Sequence, residues 1–482
     1  MNASPAAHPY PPLRMRIAGE WRTREAGEQV INPATEAPLG HLPHATAADL
    51  EDAVRSAAEG FALWRRKAPA ERCEIVVEAA RLMRRRIEAI ATAVTLEQGK
   101  PIAQSRAEVL RAAEILEWDA NEGRRLYGRL IPAEAGMRRT VTREPIGVAA
   151  AFTPWNFPLT TPARKIGGAL AAGCSLILKA SEETPAGAVM ILEALVDAGL
   201  PAGVVNLVFG DPAAISKVLI SHPAVAMIAF TGSIPVGKHL AGLAAREMKP
   251  TLMELGGHGP VIVCDDVDPA MAAAQSVVAK SRNSGQVCVS PTRFFVEEAS
   301  YDAFLEAFVD RAQKLRLGDG MDPATEMGPL ANDRRLAAMD GLALDAREKG
   351  ATVRAGGRRE GNRGYFYPLT VVTDASAEVR ATHEEPFGPL AVISRVSGVD
   401  EAVARANALP FGLAGYAFAR SAAKVDAISS GLHCGNIAIN HFTASVAETP
   451  FGGVKESGYG REGGIEGLDV YTVVKSVSHK VL

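Results

Sequence analysis

The segment RNSGQVCVSP, residues 282–291, sets Cys288 among small and polar residues, with Arg282 six positions before it. An activated thiol is a strong nucleophile, and loops carried by rigid scaffolds hold a large share of functional groups. The same thiol could also be an idle free cysteine. The other four cysteines read differently: Cys73 lies in an amphipathic helix, Cys174 opens an apolar strand, Cys264 ends VIVC, and Cys434 leads into a strand. A second stretch with chemical potential is FTPWNFP, residues 152–158, where two prolines bracket Asn156 and fix an irregular loop. Such a loop either holds an amide donor toward an oxyanion or plugs the core with an aromatic cluster. In MELGG, residues 253–257, Glu254 ends a strand, and Gly256 and Gly257 leave no side-chain bulk beside it.

Two further strand ends have the chemistry of a nucleotide site. SLIL runs into Lys179, Ala180, Ser181 and Glu182, just before a helix that Thr184-Pro185 is expected to cap; a lysine and a carboxylate there suit ribose hydroxyls or simply line a solvated loop. VAMIAF runs into TGSIPVG, so that Gly232 and Ser233 precede a helix whose N-terminal N–H groups favour phosphate. The G-x-G-x-x-G dinucleotide fingerprint is absent after every early strand.

The elements that must position these groups show in the hydrophobic spacing. Residues 48–128 carry apolar residues at three- and four-residue intervals and predict helices. From about Val148 short apolar runs alternate with helical stretches, which predicts a parallel sheet covered by helices. A second alternating region begins at GPVIVC and continues through RFFVE, FYPLTVV and PLAVISRV. MRRTVTREP (137–145) and VYTVVKSVSHKVL (470–482) are β-branched, lie outside both regions, and predict an outlying sheet or arm.

The bulk properties exclude several classes. With 482 residues, 47% of them apolar, the chain has about three domains' length and ample core. A net charge of −3 with interspersed signs gives no basic stripe for nucleic acid or a membrane surface. No apolar run approaches the ~20 residues of a spanning helix, and residues 1–20 read as a polar leader with no signal-peptide core. Few, scattered cysteines suit a reducing cytoplasm; none is spaced for a metal, and no metal is expected.

Taken in order, FTPWNFP, LKASEETP, FTGS with Gly237, MELGG, GQVC, EEPFGP (384–389) and PFGGVKESGYGREGG (450–464) resemble the aldehyde dehydrogenase superfamily from about Ile17 to the C-terminus. The resemblance implies an α/β fold with a Rossmann-like cofactor domain, an α/β catalytic domain and a small β oligomerisation arm. By position it implies an NAD(P)-binding domain at 1–125 and 146–254, a catalytic domain at 255–445, and the arm at 126–145 and 465–482. It implies Cys288 as nucleophile, Glu254 as general base and Asn156 as oxyanion donor. Thr153, Trp155, Lys179, Ser181, Glu182, Gly210, Gly232, Ser233, Gly256, Glu385 and Phe387 would hold NAD, with NADP possible. A homodimer or homotetramer is implied. Ser290 stands where some animal members carry a second cysteine, so their redox switch is not expected.

Within the superfamily the chain most resembles the succinate-semialdehyde and α-ketoglutaric semialdehyde branch. Arg164 in PARKIGGALAAGC, Arg282, and Ser445 in NHFTASVAETPFGG match residues that grip a distal carboxylate. The implied substrate is an ω-oxo acid, first succinic semialdehyde; α-ketoglutaric semialdehyde and a broader or aromatic aldehyde, suggested by Phe442, stay open. The same arginines could instead pair with nearby acids. A recruited binding protein and a CoA-acylating enzyme are the other readings, and both sit poorly with an intact Glu254.

Overall fold

The computed structural model describes residues 10–24 and 27–481; part of the N-terminal leader, residues 1–9, lies outside them. Four helices follow four short strands at the start of the chain: Ala47–Trp64, Pro69–Arg85, Ile87–Gln98 and Ile102–Glu122. The first begins at a reciprocal capping box between Thr46 and Asp49, which satisfies backbone N–H groups that a helix start leaves open. The first packs against strands Ser175–Lys179 and Val205–Val208, while the other three pack on one another and, through the second and fourth, on helix Thr160–Ala172, which stops at Gly173 with φ +96°; glycine takes that left-handed cap without a Cβ penalty.

The first sheet has eight strands. Its centre is parallel: Thr251–Glu254, Val225–Thr231, Val148–Phe152, Ser175–Lys179 and Val205–Val208 lie side by side in that order. Val148–Phe152 and Ser175–Lys179 are buried along their whole length, as parallel strands covered on both faces must be. The chain leaves Val148–Phe152 toward one side of the sheet and later returns to fill the other. That strand is therefore a topological switch point, where α/β sheets open a ligand crevice. Antiparallel additions close the two edges: Met15–Ile17 with Glu20–Arg22 at one, and the short Gly458–Tyr459, arriving from near the C-terminus, at the other.

A second, seven-stranded sheet holds Gly259–Val263, Pro291–Glu297, Thr370–Thr373, Leu390–Val396, Ala414–Phe418 and Asn436–Ile439, all parallel, with Thr352–Ala355 antiparallel at one edge. The predicted outliers do pair with each other: Met137–Pro145 and Thr472–Lys480 run antiparallel over nine residue pairs, with Arg129–Ile131 as a third strand. Among the described residues no helix is long and apolar enough to cross a membrane.

One local expectation fails. Thr184-Pro185 reads as a helix cap, yet the Thr184 hydroxyl donates to the Trp155 carbonyl (3.1 Å) and does not cap helix Pro185–Asp197. Buried Glu97 supplies the acceptors instead, taking the N–H groups of Ala186 (2.9 Å) and Gly187 (3.2 Å). A carboxylate also suits the positive end of the helix dipole.

Candidate active site

The loop carrying Cys288 is built on a conformation that side chains rarely adopt. Asn283 (φ 49°), Ser284 (φ 53°) and Gly285 (φ 72°) are left-handed in succession. Two of them have a Cβ, and such strain persists only where the surroundings enforce it. Here the Asn283 N–H donates to Gln104 Oε1 (2.8 Å) and Ser284 Oγ donates to the Gly328 carbonyl (2.7 Å). Gln286 is tied at both ends of its amide, donating to the Asn283 carbonyl (3.1 Å) and accepting from the Ala331 N–H (2.9 Å). The loop also needs bare backbone beside it, because a Cβ on Gly257 would come within 2.9 Å of the Cys288 carbonyl.

Cys288 is half-buried, more enclosed than its small polar neighbours suggest, with Val287 buried and Val289 half-buried beside it. It stands in a wall shared by two cavities of about 460 and 380 Å³. Phe157, Thr161, Thr231, Glu254 and Leu255 belong to both linings as well. The thiol and the Glu254 carboxyl can thus be approached from two sides. Burial pushes the Cys288 thiol up to about 12, with the charges of Glu385 and Glu254 adding to it. The backbone N–H groups of Val289 and Cys288 favour the thiolate and are the counterweight.

Glu254 is fully buried, and neither carboxylate oxygen has a hydrogen-bond partner. Burial, reinforced by Glu462, raises its pKa well above the usual carboxylate range, against the pull of Lys165, Arg164 and Arg461. A carboxyl in that state is suited to take a proton near neutral pH. Lys165 and Glu462 form a buried ion pair at 2.5 Å close behind it. Asn156 is buried in the rigid proline-bracketed turn and lines the smaller cavity with Cys288; its Nδ2 donates to the Gln286 carbonyl at 3.0 Å.

Arg164, Arg282 and Ser445 all line the larger cavity. Arg164 projects from helix Thr160–Ala172 and donates through Nη2 to Ser445 Oγ (2.7 Å), while its buried Nη1 has no partner. Arg282 lies over the Phe157 ring at 5.3 Å. Arg282 is exposed to solvent, in contrast to buried Arg164. Arg111, Phe442 and Phe451 complete a wall that is aromatic and cationic.

The smaller cavity gathers much of the sequence-predicted cofactor set: Trp155, Gly232, Ser233, Gly256, Glu385 and Phe387. Trp155 and Phe387 meet edge to face with ring centroids 5.5 Å apart. Phe387 has φ 43°, a strained turn gripped by Arg335, which donates to the Pro386 (2.5 Å) and Phe387 (3.1 Å) carbonyls. Glu385 accepts the Gly257 N–H at 3.0 Å, and any side chain on Gly256 would collide with its carboxylate. Ser233 caps helix Ile234–Arg246 by position only, so its exposed hydroxyl is free for a ligand. Thr153 Oγ1 and Thr231 Oγ1, at two neighbouring strand ends, are buried without partners. Orphaned hydroxyls in a crevice at the switch point fit a polar dinucleotide, whose phosphates or ribose would satisfy them. Lys179 and Glu182 pair with each other one strand further along, and Ser181 Oγ accepts the Glu183 N–H at 3.3 Å. Thr153, Lys179, Ser181, Glu182 and Gly210 line neither cavity; Gly210 turns at φ +129° against His44 and Ala45.

Lys165, Glu462, Thr231 and Arg335 escaped the sequence reading. Lys165 sits beside Arg164 and Glu462 lies within the quoted REGG, so adjacency to residues already singled out was the available signal.

Comparison with known proteins agrees with this geometry. Residues 21–477 match the profile of the aldehyde dehydrogenase family. The 4-(hydroxymethyl)benzenesulfonate dehydrogenase TsaD1 of Comamonas testosteroni is 46% identical over 95% of this chain and 96% of its own. The 3-sulfolactaldehyde dehydrogenase of Pseudomonas putida is 42% identical over 96% of each chain. The crystal structure of succinate-semialdehyde dehydrogenase from Burkholderia pseudomallei superposes with a TM-score of 0.95 at 40% identity, covering 97% of this chain and 98% of that one. A cysteine loop between two cavities, on a fold matched nearly end to end, leaves one assignment: the chain belongs to the NAD(P)-dependent aldehyde dehydrogenase family.

Proposed function

We propose that this enzyme oxidises an aldehyde with an anionic far end to the corresponding acid, succinic semialdehyde to succinate being the first case. The observation that carries the reading is the placement of Arg164, hydrogen-bonded to Ser445, and Arg282 in the cavity that also holds Cys288 and Glu254. Two guanidiniums offer charge-assisted hydrogen bonds to a carboxylate or a sulfonate.

In this reading the Cys288 thiolate attacks the aldehyde carbon, and the carbonyl oxygen takes up the charge as an alkoxide. The Asn156 amide and the Cys288 backbone N–H stabilise it, donors fixed before the charge develops. Trp155, Ser233, Glu385 and Phe387 would hold NAD(P)⁺ in the smaller cavity, where it would supply the hydride acceptor needed for oxidation of the thiohemiacetal to a thioester. Glu254 then takes a proton from water as it attacks the thioester carbon, releasing the acid and the Cys288 thiolate. The alternatives without this step, a binding protein or transfer to CoA, leave the buried Glu254 carboxyl without a task.

For the cofactor we favour NAD⁺, because Glu182 beside Lys179 accepts ribose hydroxyls and repels a 2′-phosphate. For assembly we favour a homodimer or homotetramer joined through strand Thr472–Lys480, where Val473, Val474 and Val477 stand exposed; a chain sedimenting as a monomer at micromolar concentration contradicts this. A second reading, an aromatic aldehyde sulfonate, is favoured by Phe442 and Phe451 in the cavity wall and by the benzenesulfonate dehydrogenase relative. Steady-state NADH formation with succinic semialdehyde, α-ketoglutaric semialdehyde, 4-formylbenzenesulfonate, benzaldehyde and butanal separates these. The anionic compounds are expected to have the higher kcat/KM; preference for butanal or benzaldehyde overturns the anion assignment.

A further inference from the structure

Lys100 and Glu108 are buried charged residues that the proposed chemistry leaves without a task. Lys100 lies in the turn between helices Ile87–Gln98 and Ile102–Glu122, and Glu108 lies on the second of these. Both side chains are almost fully enclosed, and they pair at 2.5 Å. Burying two ions is costly, so a pair kept in such a place needs its remaining hydrogen bonds filled. Those bonds all go to one loop. Lys100 Nζ donates to the backbone carbonyl of Asn156 at 2.8 Å and stands 4.3 Å from the centre of the Phe157 ring. Glu108 Oε1 accepts the N–H groups of Leu159 (2.9 Å) and Thr160 (3.2 Å), the start of helix Thr160–Ala172. The ion pair therefore spans residues 156–160, fixing a carbonyl at one end and two N–H groups at the other. Asn283 Nδ2, from the nucleophile loop, shares the Asn156 carbonyl at 2.9 Å and reaches the Gln286 carbonyl at 3.2 Å, the acceptor that the Asn156 amide itself uses.

We infer that the Lys100–Glu108 pair is the positioning device for Asn156, holding its backbone so that the amide stays aimed at the oxyanion beside Cys288. This rests on the reading of Asn156 as the oxyanion donor. An oxyanion donor works only when it is fixed before charge develops, and a displacement of about 1 Å can cost on the order of 10² in rate. A charged donor and two helix-start N–H groups secure that loop in the absence of substrate. Because both residues also face the larger cavity, the inference must be separated from direct contact with a substrate anion.

The test is a double-mutant cycle on Lys100→Met and Asn156→Ala, with kcat and KM measured on succinic semialdehyde and on butanal and NADH affinity followed by fluorescence. Lys100→Met is expected to lower kcat at least tenfold on both aldehydes and to leave NADH affinity within twofold. In the Asn156→Ala background it should cost less than a further twofold, because the group it positions is gone. Losses that multiply in the double variant, a kcat within twofold of the parent, or an effect confined to KM for the charged aldehyde each overturn the inference. Asn156→Ala alone losing less than threefold overturns the underlying oxyanion reading instead. Should Lys100→Met not fold, Glu108→Gln takes its place in the cycle, since it keeps an acceptor for Leu159 and Thr160 while removing the charge that holds Lys100.

Discussion

Removing Arg282 tests whether the far end of the substrate carries charge. The perturbation is Arg282→Ala, and Arg164→Met is its buried counterpart. Losing one charge-assisted hydrogen bond costs roughly 1.5–3 kcal/mol, and each 1.4 kcal/mol is a factor of ten. Arg282 is exposed, so water screens part of the attraction and the lower end applies: about a tenfold rise in KM for succinic semialdehyde. Arg164 is 5% exposed and already oriented by Ser445, so the upper end applies, roughly a hundredfold. An interaction made equally in the ground and transition states changes affinity and leaves kcat alone. For Arg282→Ala, kcat on succinic semialdehyde and KM on butanal should both stay within twofold. Arg164 has a second duty, because its charge is among those opposing the rise of the Glu254 pKa; its loss should lower kcat on both substrates as well. The assay is initial-rate NADH formation at saturating cofactor. Equal losses by Arg282→Ala on the charged and the neutral aldehyde would show that it only braces the loop against Phe157, and the reasoning would fail.

Glu254→Gln should still release one equivalent of NADH per site in a rapid burst while steady turnover falls about 10²–10⁴-fold, since water is no longer activated; quenched-flow traces without a burst would place its role earlier. The pH profile of kcat/KM should rise with pH and still be climbing at about pH 9, because Cys288 must shed a proton that burial holds on up to about 12, and kcat should rise as Glu254, also raised by burial, sheds its own; a kcat/KM maximum below about pH 7 contradicts this. Glu182→Ala should shift the ratio of kcat/KM toward NADP⁺ at least tenfold, by removing the carboxylate that would face a 2′-phosphate, and an unchanged ratio removes Glu182 from cofactor selection.

Much of this arrangement is legible in the sequence because the fold concentrates chemistry at strand ends. A buried parallel strand is an apolar run, and the residues that follow it must lie at the crevice whatever the rest of the chain does. Lys179, Gly232 and Glu254 stand out by that rule alone, each at or just after the end of a strand in the first sheet. The paired outlying strands were legible for a similar reason: β-branched segments that belong to no alternating unit have only each other to pair with. Gly210 follows a strand of the same sheet too, in a turn that packs against His44.

What stayed hidden depends on pairs of residues far apart in the chain. Lys165 meets Glu462, and Lys100 meets the Asn156 carbonyl across 56 positions of sequence. Nothing local marks such a lysine, since an isolated lysine is most often a solvated one. The cap of helix Pro185–Asp197 makes the same point in reverse. Thr184 carries the local signature of a cap, and the folded chain spends its hydroxyl on Trp155, in the loop that holds Asn156. Glu97, 89 positions before Ala186, takes over the helix N–H groups. The two substitutions serve one end: the Asn156 loop gains a hydroxyl from Thr184 at Trp155, a charge from Lys100 at Asn156, and a carboxylate from Glu108 at Leu159. Two distant segments, residues 100–108 and Thr184, therefore converge on residues 155–160, which explains why a motif so short can be rigid when its own sequence supplies only two prolines.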